Sequence, residues 1–319
     1  MTDLGVAVLL GPTASGKSDL ALRLARWWRE QGQAVEIVNA DAMLVYRGLD
    51  IGSAQPTPAE RAEIPHHLID ILDLGETASV ADFQRRARAA VADCQARGVL
   101  PLVVGGSALY LRAVTDRFDF PGHDPAVRAR LEAELAAVGP AALHERLQAA
   151  DPAAAAGILP ANARRVVRAL EAIETTGSFR SSLPDWTYAL AGVRQLGLAL
   201  DRPTLDARIA ARVDAMWAAG LADEVRDLAR RGLRDSRTAV KALGYAQALA
   251  YVDGCLGADE ARAETVRLTR RFARRQLSWW RRDPRIAWLP AVPPPAAAAA
   301  AASLGWAASA GADATLTGA

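Results

Sequence analysis

The chain opens with "VAVLL" (6–10), an unbroken apolar run that stops at Gly11. A run this short, bounded by glycine, suits a strand covered on both faces within a parallel sheet. Past a glycine-bearing loop, Ser18 leads into "DLALRLARWWREQ", where apolar residues recur at helical spacing and Gly32 marks the stop. The alternation then repeats. "AVEIVNAD" predicts a second strand ending at Asp41, followed by a polar, proline-bearing loop through Pro65. "SVADFQRRARAAVADCQARG" predicts a helix capped at Ser79 and closed at Gly98, and "VLPLVVGG" a third buried strand.

From about residue 115 the pattern changes to alanine-rich helices, each introduced by an Asp-Pro pair: Asp124-Pro125 and Asp151-Pro152. The aspartate caps and the proline takes the first helical turn. No further strand candidate occurs until "VRQLGLALD" (193–201), after which the chain is again helical and turns strongly basic near 262–285. The expected fold class is α/β, a P-loop NTPase-like parallel-sheet core with an all-helical insertion domain. Its parts are the first stretch of the core (1–114), the insertion (115–191), and a return to the core with basic C-terminal helices (192–290). The tail (291–319), "PPPAAAAAAASLGWAASAGADATLTGA" at its end, offers little to bury and is expected to be disordered.

Composition adds limits. A chain of 319 residues can bury a sizeable core in two units, and 38 Lys+Arg against 36 Asp+Glu leave a net charge of only +2. Any binding of nucleic acid must therefore come from local clusters. The basic residues are nearly all arginine; Lys17 and Lys241 are the only lysines. Cys94 and Cys255 stand alone, with no histidine at metal-ligand spacing, and read as reduced thiols of a cytoplasmic protein. No signal-type N-terminus and, outside the alanine-rich tail, no apolar stretch of spanning length is present, so no membrane association is expected.

Gly11-Pro12-Thr13-Ala14-Ser15-Gly16-Lys17-Ser18 fits G-x-x-x-x-G-K-[ST] between a strand and a helix. Such a loop presents a nest of backbone N–H groups at a helix N-terminus, with Lys17 adding charge and Ser18 a hydroxyl for Mg²⁺. A nucleotide hydrolase usually carries an acid at the end of a second strand. Here "LPLVV" runs into Gly105-Gly106-Ser107 instead, which argues against ATP-driven work. Asp41 does sit at a strand end, where ligands of open α/β sheets bind. A carboxylate there could hold Mg²⁺, take a proton from an acceptor, or simply cap the following turn.

These residues carry a resemblance. The phosphate loop, "NADAMLVYRGLDIGSAQP", "PHHLID" and "VGGSALYLRAV" closely resemble the tRNA dimethylallyltransferases, also called tRNA isopentenyltransferases. The match continues through "DPAVRARL", "ARRVVRALEAIETTG", "GYAQAL" and "TRRFARRQLSWWRR", and covers most of the chain to about Leu289. The resemblance implies transfer of a prenyl group from dimethylallyl diphosphate to the exocyclic amine of the adenosine just 3′ of the tRNA anticodon. Diphosphate is released with help from Mg²⁺, and the target adenosine is extruded to reach the loop.

By the same resemblance, the general base falls on Asp41, and Ser107 lies beside the diphosphate and the acceptor base. Arg208 and Arg212, one turn apart in "LDARIAARV", become candidates for holding the diphosphate. Segments implied to meet tRNA are Asp41, Ala42, Met43 and Leu44; Arg128; Arg164, Arg165, Val166, Val167 and Arg168; and Lys241, Ala242, Leu243, Gly244, Tyr245 and Ala246. On charge alone a basic helix face is as readily a solvated one. "RAETVRLTRRFARRQLSWWRRDPR" sets nine arginines against two acids, with Trp279 and Trp280 available for stacking or for the core. Ala42 and Ala246 depart from the family, which commonly has serine and a basic residue at those places.

The expectation is a monomer that closes its helical insertion on the anticodon arm. Its rivals are an adenylate isopentenyltransferase acting on free nucleotides, a P-loop small-molecule kinase, and an RNA-binding protein with a vestigial loop.

Overall fold

The computed structural model describes residues 4–118, 120, 124–179 and 185–306. It divides into two compact units, one of residues 1–116 and 188–319 and one of residues 117–187.

In the larger unit β1 (Val6–Leu10) is buried throughout, and its side chains alternate between two cores: Val6, Val8 and Leu10 enter one, Ala7 and Leu9 the other. That two-sided burial is why the run is continuously apolar rather than alternating. α1 (Lys17–Glu30), β2 (Val35–Asn39), α2 (Pro58–Glu63), β3 (His66–His67), α3 (Val80–Ala96), β4 (Leu100–Gly105) and α4 (Ala108–Thr115) follow. α2 and the two-residue β3 fall where the sequence predicts only loop or no element. Each is too short to show a period, and α2 is held by the Thr57–Glu60 capping box with Pro58 in its first turn.

The smaller unit is helical: α5 (Pro125–Ala150), α6 (Pro152–Ala156) and α7 (Ala163–Thr176). Asp124 accepts from the Ala126 and Val127 N–H groups and Asp151 from that of Ala154, as the Asp-Pro pairs predict. Gly139, at φ 80°, breaks α5 just before Pro140 and lets Leu131, Leu143 and Leu147 share one core with Val166 and Leu170.

The chain then supplies β5 (Val193–Ala199), α8 (Arg202–Ala218), α9 (Leu221–Arg230), α10 (Tyr245–Val252), α11 (Ala258–Trp280), β6 (Ile286–Pro290) and α12 (Ala297–Ser303). The six strands lie in the order β3-β2-β4-β1-β5-β6, all parallel, which leaves β1 and its following loop in the middle of the sheet. β6, unforeseen in the sequence, pairs with β5 where Gly197 gives the Trp288 ring room.

The tail expectation needs correction. α12 packs against α1, with Ala300, Ala301 and Leu304 fully buried and Trp306 edge-on to Trp28 at 6.3 Å between ring centres. Small alanine side chains let the helix approach closely, so a composition that looks unfit for a core adds to one. The remainder of the predicted tail, residues 307–319, lies outside the described residues.

Candidate active site at the phosphate loop

The loop between β1 and α1 reverses the chain using Ala14 at φ 62° and Gly16 at φ 90°. Gly16 caps α1 without a side chain, so the first-turn N–H groups remain available to an anion. Ser15 is 1 % exposed, and its hydroxyl has no hydrogen-bond partner among the described residues. Among the described residues the Lys17 ammonium hydrogen-bonds only the Pro12 carbonyl, at 3.5 Å. Burial lowers its pKa to about 8, against the upward pull of the Asp41 carboxylate and together with repulsion from the Arg212 guanidinium. Lys17, Asp41 and Arg212 thus form one electrostatic group. Burial also lowers the Arg212 pKa, opposed by Asp41.

Asp41 is braced from β2. Asn39 accepts from the Asp41 N–H at 2.8 Å and donates to the Asp41 carbonyl at 3.1 Å and the Leu68 carbonyl at 3.0 Å. Asp41 Oδ1 accepts from the Met43 N–H at 2.9 Å. The turn-capping alternative is therefore real, but it occupies one carboxylate oxygen; Oδ2 has no hydrogen-bond donor among the described residues. Ala42, Met43 and Leu44 are half-buried along the same turn.

The glycines at the end of β4 explain the missing acid. A β-carbon on Gly105 would stand 2.5 Å from the Ala40 carbonyl oxygen, and one on Gly106 would stand 2.6 Å from Gln276 Nε2 and 3.0 Å from the Gly11 oxygen. No side chain fits there, and the strand end packs directly against the phosphate loop. Ser107 begins α4 without capping it by its hydroxyl.

Two residues that the sequence reading missed brace this centre. Asn39 is one. Gln276, in α11 and 6 % exposed, is the other: it accepts from the Thr13 N–H at 3.1 Å and donates to the Gly106 carbonyl at 2.7 Å. A lone amide amid nine arginines gave little signal. Arg208 donates to the Ser15 carbonyl at 3.3 Å and the Ala291 carbonyl at 3.4 Å, and Arg212 to the Ser53 carbonyl at 3.3 Å, so both expected arginines are partly buried at the loop side rather than on a solvated face.

The residues implied to meet tRNA fare unevenly. Lys241 is exposed, but Ala242 is 4 % and Tyr245 1 % exposed; Gly244 is buried, and Leu243 and Ala246 are half-buried. The Tyr245 hydroxyl donates to Glu224 at 2.6 Å and accepts from the Gly52 N–H at 3.1 Å, so its side chain braces the segment after Asp41. In the smaller unit Arg164 and Arg165 are exposed, whereas Val166 and Val167 sit in that unit's core. Their side chains anchor the helix that carries the exposed Arg164 and Arg165. Arg128 and Arg168 both pair with the fully buried Glu171, Arg168 at 2.8 Å. Trp280 is likewise a core anchor, at 1 % exposed.

Oxygen donors suit a hard cation. Mg²⁺ characteristically takes one or two protein oxygens and completes its shell with substrate phosphates and water. The Ser18 hydroxyl, in the first turn of α1 beside the loop, is an oxygen of that kind. Among the described residues, no helix is long and apolar enough to cross a membrane.

A family model described as IPP transferase matches residues 44–283. A tRNA dimethylallyltransferase of Kineococcus radiotolerans is 62 % identical over 90 % of each chain, and one of Thermobifida fusca is 58 % identical over 89 % of each. Among solved structures, the tRNA isopentenylpyrophosphate transferase of Bacillus halodurans is 40 % identical over 90 % of each chain, with a TM-score of 0.64. A eukaryotic dimethylallyltransferase described as acting on tRNA is 26 % identical over 89 % of this chain and 73 % of its own, with a TM-score of 0.70. The braced aspartate, the phosphate loop and the glycine strand end thus stand in a chain that is alike over nine-tenths of its length, and this chain belongs to the IPP transferase family.

Proposed function

We propose that this protein transfers the dimethylallyl group of dimethylallyl diphosphate to N6 of the adenosine 3′ of the anticodon in tRNA, releasing diphosphate. The observation that carries the reading is the electrostatic group of Lys17, Arg212 and Asp41 at the mouth of a phosphate loop whose neighbouring strand end admits no acid. Two half-buried cations beside an N–H nest suit a leaving diphosphate, and a single braced carboxylate suits a proton acceptor.

In this reading the bond between the allylic carbon and the diphosphate oxygen breaks, and its electron pair goes to that oxygen. Lys17, Arg212, the Ser15 hydroxyl and the backbone N–H groups of the loop stabilise the growing charge. The N6 lone pair forms the new carbon–nitrogen bond, and Asp41 Oδ2 takes the N6 proton. Asn39 fixes the Asp41 backbone through its N–H and carbonyl, and the Met43 N–H holds the carboxylate by Oδ1. Mg²⁺, held on the protein side by the Ser18 hydroxyl, supplies further neutralisation of the diphosphate when bound. Ser107, whose hydroxyl does not cap α4, would meet the diphosphate or the acceptor base in this reading.

On the acceptor side we assign phosphate contacts to the exposed Arg164, Arg165 and Lys241. A tRNA substrate implies work in the cytoplasm.

The test offers labelled dimethylallyl diphosphate with Mg²⁺ and either unmodified tRNA or AMP. Label in tRNA supports the reading. Label in AMP alone points to an adenylate prenyltransferase, and phosphoryl transfer from ATP to a kinase; either result overturns it.

A further inference from the structure

A second cluster lies at the edge of the sheet, outside the chemistry above. Glu36 of β2, His67 of β3 and Cys94 of α3 converge there: Cys94 Sγ is 3.4 Å from Glu36 Oε2 and 3.7 Å from His67 Nε2, and those two atoms are 2.7 Å apart. Glu36 stands five residues before Asp41. At the rise of an extended strand that is about 16 Å, so the cluster sits toward the opposite end of the sheet from the phosphate loop.

The ligand atoms already approximate a tetrahedral face. Zinc lies about 2.3 Å from a thiolate sulfur and about 2.0–2.2 Å from imidazole nitrogen or carboxylate oxygen. Tetrahedral angles then place sulfur about 3.6 Å from either partner and nitrogen about 3.4 Å from oxygen. Both sulfur distances match within about 0.2 Å. The nitrogen–oxygen edge is shorter because a hydrogen bond spans it, and a metal would replace that bond.

Arg97 is the competitor. Its guanidinium holds Glu36 Oε1 at 2.8 Å and Oε2 at 2.7 Å, and it reaches Cys94 Sγ at 3.7 Å. It also holds Asp93 through Nε at 2.9 Å, and its side chain is 44 % exposed. Arg97 can therefore release Oε2 and Sγ while keeping Oε1 and Asp93. Solvent reaches the cluster past His67, whose side chain is 28 % exposed, so a water can complete the shell.

We propose that Glu36, His67 and Cys94 form a zinc site with water as fourth ligand, tying the edge strand β3 to β2 and α3. The thiol proton leaves to solvent as the sulfur–metal bond forms. A thiolate, an imidazole and a carboxylate select zinc over the hard cation suited to the phosphate loop.

Co²⁺ is the probe, added to the full chain after chelator treatment. One Co²⁺ per chain should bind with an intense thiolate-to-cobalt charge-transfer band, and Zn²⁺ should displace it. Cys94→Ser should abolish the band and Cys255→Ser leave it intact. His67→Gln should weaken Co²⁺ at least about tenfold and remove the rise in Tm that Zn²⁺ gives the parent chain. The hydroxyl and carboxylate oxygens at the phosphate loop cannot produce a thiolate band, so the two sites are read separately. A folded protein without that band overturns the site, as does a band lost with Cys255→Ser but kept with Cys94→Ser. If Cys94→Ser does not fold, unchanged Co²⁺ affinity in His67→Gln overturns it equally.

Discussion

Replacing Lys17 by methionine should stabilise the protein while destroying its donor site. Lys17 is charged at neutral pH in both folded and unfolded chains, yet burial lowers its folded pKa from 10.5 to about 8. Below that value the native state carries a desolvated ammonium at a penalty of about 3 kcal/mol, from about 1.36 kcal/mol per pKa unit. Because the folded value lies below the unfolded one, the native state binds fewer protons between about pH 8 and 10.5, and stability rises with pH across that window. At pH 9.5 the same linkage leaves about 1.4 kcal/mol. Methionine keeps most of the apolar stem without the charge, and among the described residues the hydrogen bond lost is the long one to Pro12. Urea unfolding should therefore find Lys17→Met more stable by about 3 kcal/mol at pH 7 and by about half that at pH 9.5. Inorganic diphosphate should narrow the difference by stabilising the parent chain alone. A variant no more stable at pH 7, or a difference that does not change with pH, would refute the account of a desolvated, ligand-awaiting ammonium.

Asp41→Asn should lower kcat for tRNA prenylation by about 10²–10⁴, the range of a lost general base, with tRNA affinity unchanged in a filter-binding titration. Gln276→Leu strips partners from the Gly106 carbonyl and the Thr13 N–H, and should cost about 2–4 kcal/mol in denaturant unfolding. It should also raise KM for dimethylallyl diphosphate more than KM for tRNA, because the loop rather than the acceptor side loosens. Leu304→Ala removes a fully buried side chain and should cost about 2–5 kcal/mol, visible as a lowered Tm; no change would return that segment to the disordered state its composition suggests.

Much of this was written locally. A buried strand, a glycine-rich turn and a helix start follow one another in the first thirty residues, and the phosphate loop is legible because all its parts are contiguous. Asp41 was legible as a strand-end acid, though not how it is held. Asn39 is two residues away from Asp41 and acts through side-chain hydrogen bonds that no period announces. The short elements β3 and α2 were illegible because two or six residues cannot display a repeat. The tail misled because alanine is judged by its small apolar area, whereas α12 is held by how closely it can approach α1.

The sequence by itself determined the strand–helix alternation, the capped helical insertion and the chemistry of the loop, since each depends on neighbours a few residues apart. Tertiary structure alone decided the rest. It turned Gln276 into a brace across 263 residues of sequence, drew Lys17, Asp41 and Arg212 into one electrostatic group, and buried the side chains of Tyr245, Val166 and Val167. It also set Cys94, which has no histidine near it in sequence, 3.7 Å from His67. Sheet order and helix packing determine which distant side chains meet, and neither is encoded in a window of the chain.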